Sequence, residues 1–205
     1  FFLCPTKTMK KIKVKSKTKI LLADTFTPVS MYLRLRDQFV NTILLESSDY
    51  HGQSNAFSYI CCLPVASFKV EDGILTIEYP DKTTATKNLD DKKMAIEELN
   101  SFASVFHSET EEFKFINNGL FGYMSYDAVQ YYEDISFKAP ATDQKIPEIY
   151  YQVFRYVIAL NHFNNHLSIF EHTYGNETLS SDLDRIEDII RNKNFSPHGF
   201  SIQGE

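Results

Sequence analysis

Two apolar segments separated by a short polar one constrain the fold of this 205-residue chain more than any other feature. Residues 150–160 and 166–172 are rich in aromatic and β-branched side chains, and Phe163-Asn164-Asn165 lies between them. Asparagine tolerates the left-handed backbone conformation that tight turns require. The sequence therefore predicts two long neighbouring strands, and with them an antiparallel sheet.

Further strands extend this sheet. Asp72-Gly73 favours a tight hairpin turn between strands at residues 67–71 and 73–79. Gly119 and Gly122 lie inside another apolar strand pattern, where glycine usually marks a bulge or the close passage of a second backbone. The remaining strands are predicted at residues 42–46, 56–63, 83–87 and 119–126.

Helices are predicted at four places. Thr27-Pro28 is typical of a helix start and predicts a helix over 28–39. Residues 91–107 form the clearest amphipathic helix, whose stripe consists of Ala95, Leu99, Phe102, Ala103 and Phe106. Two shorter helices are expected over 127–132 and 183–190. The fold class is therefore α+β, with antiparallel β-sheets packed on each other and helices on the outside.

The two ends differ in composition from the body of the chain. Residues 1–19 carry seven lysines and no acidic residue, although the whole chain has a net charge of −6. We interpret this segment as a basic arm or edge strand, with Met9 as the expected start of the protein. An acidic body would repel nucleic acid and anionic lipid, so neither is expected as a partner. Residues 20–191 are expected to form one domain and 192–205 a linker.

Cysteine usage favours a reducing compartment. Cys4, Cys61 and Cys62 make an odd number without metal-ligand spacing, and the adjacent pair is badly placed to form a disulfide. We expect Cys61 and Cys62 to be small core residues. No apolar run approaches the roughly 20 residues that span a bilayer, so a cytoplasmic location is predicted.

The sequence contains no recognisable catalytic constellation. The spacing of Gly119 and Gly122 does not fit a nucleotide-binding loop. His162 and His166 are four residues apart, but the asparagines between them indicate a turn rather than a metal-binding helix. We therefore predict no catalytic residue and no metal ligand in this chain.

One segment has the properties of a ligand site. Thr42-Ile43-Leu44-Leu45 is a buried strand pattern that leads directly to Glu46 and Ser47. The carboxylate can pair with an ammonium group, and the hydroxyl can hydrogen-bond an ammonium or a carboxylate. Because neighbouring side chains of a strand point to opposite faces, both can serve one ligand only if the backbone turns there.

This segment and a second one, residues 118–133, together resemble the N-terminal region of the anthranilate synthase component I family. The second segment reads Asn-Gly-Leu-Phe-Gly-Tyr-Met-Ser-Tyr-Asp-Ala-Val-Gln-Tyr-Tyr-Glu. The resemblance extends to Thr27-Pro28-Val29-Ser30 before the first segment and to Ile146-Pro147-Glu148 after the second.

The resemblance implies a function in tryptophan biosynthesis. Members convert chorismate and glutamine-derived ammonia to anthranilate and pyruvate, with magnesium as cofactor and a glutamine amidotransferase subunit, component II, as partner. It places catalysis in a C-terminal domain that is absent here, so residues 1–205 are expected to be inactive alone. It also implies that Glu46 and Ser47 bind tryptophan as feedback inhibitor.

Two alternatives remain open. One is the large subunit of aminodeoxychorismate synthase, a folate-pathway relative in which the residue before the serine is more often aspartate than glutamate. The other is a free-standing module that binds a small molecule.

Overall fold

A computed structural model describes residues 11–46, 56–91, 93–108, 113–135, 146–178, 182–192 and 194. Within these residues the chain forms strands β1 (Ile12–Leu22), β2 (Ile43–Leu45), β3 (Phe57–Glu71), β4 (Ile74–Glu78), β5 (Thr84–Asn88), β6 (Phe106–Ser108), β7 (Phe121–Met124), β8 (Ile149–Asn161) and β9 (His166–Tyr174). The helices are α1 (Pro28–Arg36), α2 (Met94–Val105), α3 (Leu183–Asn192) and a 3-10 helix (Tyr126–Tyr131). None of the described helices has the length and apolar character needed to cross a membrane.

Hydrogen bonding joins the described strands into one mixed, mostly antiparallel sheet. The strand order is β5-β4-β3-β8-β9-β1-β6, with β2 paired to β3 and β7 paired to β8 outside this path. The α+β class is thus confirmed, but the expectation of separate antiparallel sheets is corrected. The β1–β6 pair is parallel, because these strands are far apart in sequence and no hairpin sets their direction.

The predicted hairpins are present. β8 and β9 pair antiparallel, and the turn between them places Asn165 at a φ of 54°. β3 and β4 pair across Asp72 and Gly73, which have φ values of 51° and 73°. Positive φ at both central residues defines the turn type that matches the twist of two antiparallel strands.

The interpretation of the basic segment as an edge strand is wrong for the start of β1. Ile12, Lys13 and Val14 pair with β6, while β9 is the other neighbour of β1 in the sheet. The period of two is nevertheless correct, because Lys13, Lys15 and Lys17 are exposed and Val14 is buried.

The structure divides into two compact units, and each has its own apolar core. Unit 1 contains the described residues of Phe1–Lys17, Pro64–Arg155 and His172–Leu179, and unit 2 contains those of Thr18–Leu63, Tyr156–Glu171 and Ser180–Glu205.

In unit 1, helix α2 packs Ala95, Leu99, Phe102 and Phe106 of its predicted stripe on the sheet, whereas Ala103 of that stripe is exposed. Phe102 is fully buried against Phe68 of β3, with ring centroids 5.8 Å apart, and Leu99 and Phe106 pack on the same core. The helix is shorter than predicted, because Phe106 has extended backbone and begins β6. A β-prone aromatic residue that pairs with β1 ends the helix here.

In unit 2, helices α1 and α3 pack on a core that includes β2, β3, β8 and β9. Thr27 caps α1, since its hydroxyl accepts from the backbone N–H of Ser30 at 3.2 Å. The residues that α1 and α3 bury in this core are Met31, Leu35, Leu183, Ile186, Ile189 and Ile190. Lys19 of β1 forms salt bridges with Asp184 and Glu187 of α3.

Gly122 shows why this strand requires glycine. A Cβ atom at this position would lie 2.0 Å from the carbonyl oxygen of Tyr150 and 2.8 Å from the Cα of Tyr151. Both atoms belong to the backbone of β8, which pairs with β7 at this point. The close passage predicted from the sequence is confirmed here.

Gly122→Ala is therefore expected to lower the free energy of unfolding by about 3 kcal/mol, because two paired strands have to separate to admit one methyl group. Chemical denaturation of the two proteins measures this difference. Gly175→Ala is the matched control: Gly175 has a φ of 67° and open space around it, so only the conformational cost of about 1 to 2 kcal/mol is expected. Equal losses in both variants would contradict the steric account.

Candidate ligand site at the end of strand β2

Strand β2 carries the two leucines of the Leu-Leu-Glu-Ser motif along β3. Ile43, Leu44 and Leu45 pair antiparallel with Cys61, Ile60 and Tyr59. Glu46 follows the last paired residue and is exposed. Ser47 lies outside the described residues, so the structure places the carboxylate of the predicted pair but not the hydroxyl.

The face of β2 that carries Leu44 packs on the core of unit 2. Leu44 lies opposite Ile60, and both contact a cluster that includes Leu160 of β8 and Leu167 of β9. Since side chains two residues apart share a face of a strand, the continuation of β2 brings position 46 to the face of Leu44. The exposed carboxylate therefore lies where an apolar row of the sheet ends.

A polar pair, with Ser58 buried and His162 partly exposed, lies at the same end of this row. Ser58 is 1% exposed, and its hydroxyl lies 2.7 Å from Nε2 of His162. The backbone N–H of His162 donates to the carbonyl oxygen of Ala56 at 3.0 Å, which fixes the histidine beside the start of β3. The hairpin interpretation of His162 and His166 is confirmed, because these residues flank the β8–β9 turn.

The opposite face of this region is aromatic. Phe57 and Tyr59 of β3 stack with ring centroids 6.1 Å apart and an interplanar angle of 26°. Both rings are half-buried, and Tyr59 lies opposite the partly exposed Leu45. The strand end therefore combines a carboxylate, a hydroxyl–imidazole pair whose hydroxyl is buried, and aromatic surface.

Neither cysteine of β3 is an exposed nucleophile. Cys61 and Cys62 are both fully buried, as predicted. Burial raises the pKa of the Cys62 thiol to about 12, and burial also raises the pKa of Cys61. Thiols held in the protonated form are poor nucleophiles, so these side chains act as core packing. Cys4 lies outside the described residues.

The second motif segment belongs to unit 1. The 3-10 helix and the residue that follows it supply exposed tyrosines, with Tyr126 82% exposed and Tyr132 49% exposed. Glu148, from the Ile-Pro-Glu turn, accepts the backbone N–H of Asp72 at 3.2 Å. Burial raises the pKa of the Glu148 carboxyl. The hydrogen bond from Asp72 to Glu148 holds the β3–β4 turn.

A buried imidazole belongs to unit 1. His172 of β9 is fully buried, with Nδ1 2.7 Å from the Ser16 hydroxyl and Nε2 2.9 Å from the carbonyl oxygen of Asn117. Burial lowers the pKa of His172 from 6.5 to about 4. Among the described residues, no three side chains of histidine, cysteine, aspartate or glutamate are grouped closely enough to hold a metal ion.

Comparison with known proteins supports the sequence resemblance. Anthranilate synthase component 1 from Lactococcus lactis subsp. lactis (strain IL1403) is 28% identical over 158 residues, which is 76% of this chain and 32% of that protein. Aminodeoxychorismate synthase component 1 from Bacillus subtilis (strain 168) is 28% identical over 145 residues, 69% of this chain and 28% of that protein.

A crystal structure of anthranilate synthase component I from Streptococcus pneumoniae TIGR4 superposes with a TM-score of 0.49 and 19% identity, covering 83% of this chain and 35% of that chain. No family model matches the sequence. The chain spans about a third of the length of the curated relatives it matches.

The chain is similar to component 1 of two synthases, anthranilate synthase and aminodeoxychorismate synthase. Within this class, the resemblance to anthranilate synthase component I is confirmed, because several curated relatives of that name match most of the chain.

Protonation of His172 is expected to weaken folding. The unfolded chain binds this proton with a pKa near 6.5, whereas the folded protein binds it only near pH 4. The contribution of His172 to the free energy of unfolding should therefore be constant well above pH 6.5 and fall by roughly 3 kcal/mol as the pH drops to 4. His172→Gln removes this titration, so its stability should fall less over the same pH range.

Denaturant titrations at several pH values measure the difference between wild type and His172→Gln. His166→Gln is the control, because His166 is an exposed histidine of the same strand. Parallel stability profiles for wild type and His172→Gln would contradict the assignment.

Proposed function

We propose that this chain is the tryptophan-sensing part of anthranilate synthase component I. The observation that supports it most is the position of Glu46: the glutamate of the matched Leu-Leu-Glu-Ser motif is exposed at the end of an apolar strand. In this proposal its carboxylate pairs with the ammonium group of tryptophan, and Ser47 contributes its hydroxyl.

The proposed site in this chain is half of a complete one. One ion pair and one hydroxyl have to offset the translational and rotational freedom that the ligand loses on binding. We therefore expect the 205-residue chain to bind tryptophan with a Kd on the order of 1 mM. The rest of the tryptophan site would come from a part that corresponds to the remaining two thirds of its relatives' length.

The chemistry is assigned to that remaining part of the protein. There we place the conversion of chorismate and ammonia to anthranilate and pyruvate, and the ligands for magnesium. A glutamine amidotransferase, component II, would supply the ammonia. The residues of this chain then contribute regulation and not turnover.

Aminodeoxychorismate synthase component 1 is the second candidate, favoured by the relative from Bacillus subtilis. Glu46 supports the tryptophan-pathway enzyme over it. The two candidates differ in an observable way, because only the first predicts that tryptophan is the effector.

The first functional prediction is that purified residues 1–205 form no anthranilate from chorismate with either ammonia or glutamine. The reason is that the proposal places the groups for acid–base chemistry on the substrate in the other part of the protein. Anthranilate fluorescence reports the product directly. A signal above the level of a protein-free blank would show that catalysis resides in this segment.

The second prediction concerns inhibition. The test uses a protein that contains this chain and has the full length of its relatives. In it, Glu46→Ala or Ser47→Ala should weaken inhibition by tryptophan about tenfold or more. A charge-assisted hydrogen bond contributes roughly 1.5 to 3 kcal/mol, which corresponds to this factor. Turnover without inhibitor should remain nearly unchanged, because the reacting groups lie elsewhere.

Inhibition constants and kcat are measured for wild type, both variants and Asp24→Ala. Asp24 is an exposed carboxylate of the same unit outside the motif, so its removal should change neither quantity. Intact inhibition in the motif variants, or a kcat that falls as far as inhibitor affinity, would refute the regulatory assignment.

A further inference from the structure

Three strands of unit 2 place polar side chains in one line at the end of the apolar core. The register Leu44↔Ile60 and Leu45↔Tyr59 places position 46 opposite Ser58 when it is continued by one residue. Ser58 in turn lies 2.7 Å from His162, which directly follows β8. Side chains opposite each other on neighbouring strands share a face, with Cβ atoms about 5 Å apart.

The apolar residues one step inward confirm that this line has a single face. Leu44, Ile60 and Leu160 belong to the same core cluster. Each lies two residues from a member of the polar line, and side chains two apart share a face. Ser58 of β3 contacts His162, one residue beyond β8, and the continued register places Glu46, one residue beyond β2, on the same face.

We propose that Ser58 and His162 are positioning residues for Glu46 in an amino-acid binding site, an inference that rests on the proposed function. In this arrangement Nε2–H of His162 donates to the Ser58 oxygen. The Ser58 hydroxyl then directs its own proton along the row toward the carboxylate of Glu46. The oriented carboxylate accepts the α-ammonium group of the ligand with its other oxygen.

Burial explains why Ser58 acts through Glu46. At 1% exposure its hydroxyl is inaccessible to a ligand, yet a serine hydroxyl has one proton to donate and lone pairs to accept. When His162 donates to the Ser58 oxygen, the Ser58 hydroxyl proton therefore points away from His162. Hydrogen bonds in such a chain strengthen one another when all members are satisfied.

The sequence offers conservative variants that separate this role from packing. His162→Leu removes the donor, whereas His162→Gln retains a side-chain N–H that reaches the position of Nε2. Ser58→Ala removes the hydroxyl that links His162 to Glu46 in this proposal. Ser168→Ala is the control for a buried serine, since Ser168 lies on β9 at 6% exposure. His166→Leu is the control for an exposed histidine of the same hairpin.

The experiment measures L-tryptophan affinity of the 205-residue chain by NMR titration, together with the melting temperature of each variant. Ser58→Ala and His162→Leu should weaken binding about fivefold or more, since each loses one charge-coupled hydrogen bond. His162→Gln should bind within about twofold of wild type, and both controls should bind as wild type does. Indole-3-propionate, which lacks the ammonium group, should lose nothing in these variants.

A second measurement uses wild type alone and does not depend on the folding of any variant. The nitrogen shifts of the His162 ring identify its tautomer, and we expect protonated Nε2, with ring resonances that move on addition of tryptophan while those of His172 do not. The Nδ1-protonated tautomer would overturn the proposal, because Ser58 would then have to donate to Nε2.

Two further outcomes separate the two proposals. If Glu46→Gln weakens tryptophan binding but Ser58→Ala and His162→Leu bind as wild type does, the positioning role is wrong and the proposed function stands. If wild type shows no saturable tryptophan binding, both are wrong.

Discussion

The register of β2 on β3 is the constraint on which the candidate site depends. Leu44 lies opposite Ile60, and both enter a core that continues through Leu160 and Leu167. A slip of one residue would move Leu44 to the opposite face of the strand, so burial of this apolar row strongly specifies one register. The same register sets where Glu46 leaves the sheet. The core thus fixes the position of a charged group that is not part of it.

Much of the fold is encoded locally and could be predicted from the sequence. The β3–β4 turn follows from Asp72-Gly73, and the α2 stripe follows from residues spaced three and four apart. The single sheet and the parallel β1–β6 pair could not be predicted, because they join segments almost a hundred residues apart. Local propensity contains no information on such pairings. The continuous length of β3 could not be predicted either: the sequence indicated separate strands at 56–63 and 67–71, whereas the structure has one strand with Leu63 at a φ of 60° inside it.

The candidate site shows the same limit. Glu46 was identified because its motif is contiguous, and the structure places it exposed at the strand end. Ser58 and His162 were not identified, because their role depends on three strands that are brought together only by folding. The signal that existed was the apolar pattern itself: polar residues at positions 46, 58 and 162 each lie two residues from a leucine or isoleucine of one core cluster. Only the strand register shows that these three positions are neighbours in the sheet.

The central claim is that the end of β2 binds the amino group of tryptophan, and a crystal structure with tryptophan bound tests it most directly. The account predicts the ligand at the end of β2, with its ammonium nitrogen about 2.7 to 3.0 Å from a carboxylate oxygen of Glu46. Tryptophan bound elsewhere, with Glu46 facing only solvent, would contradict it.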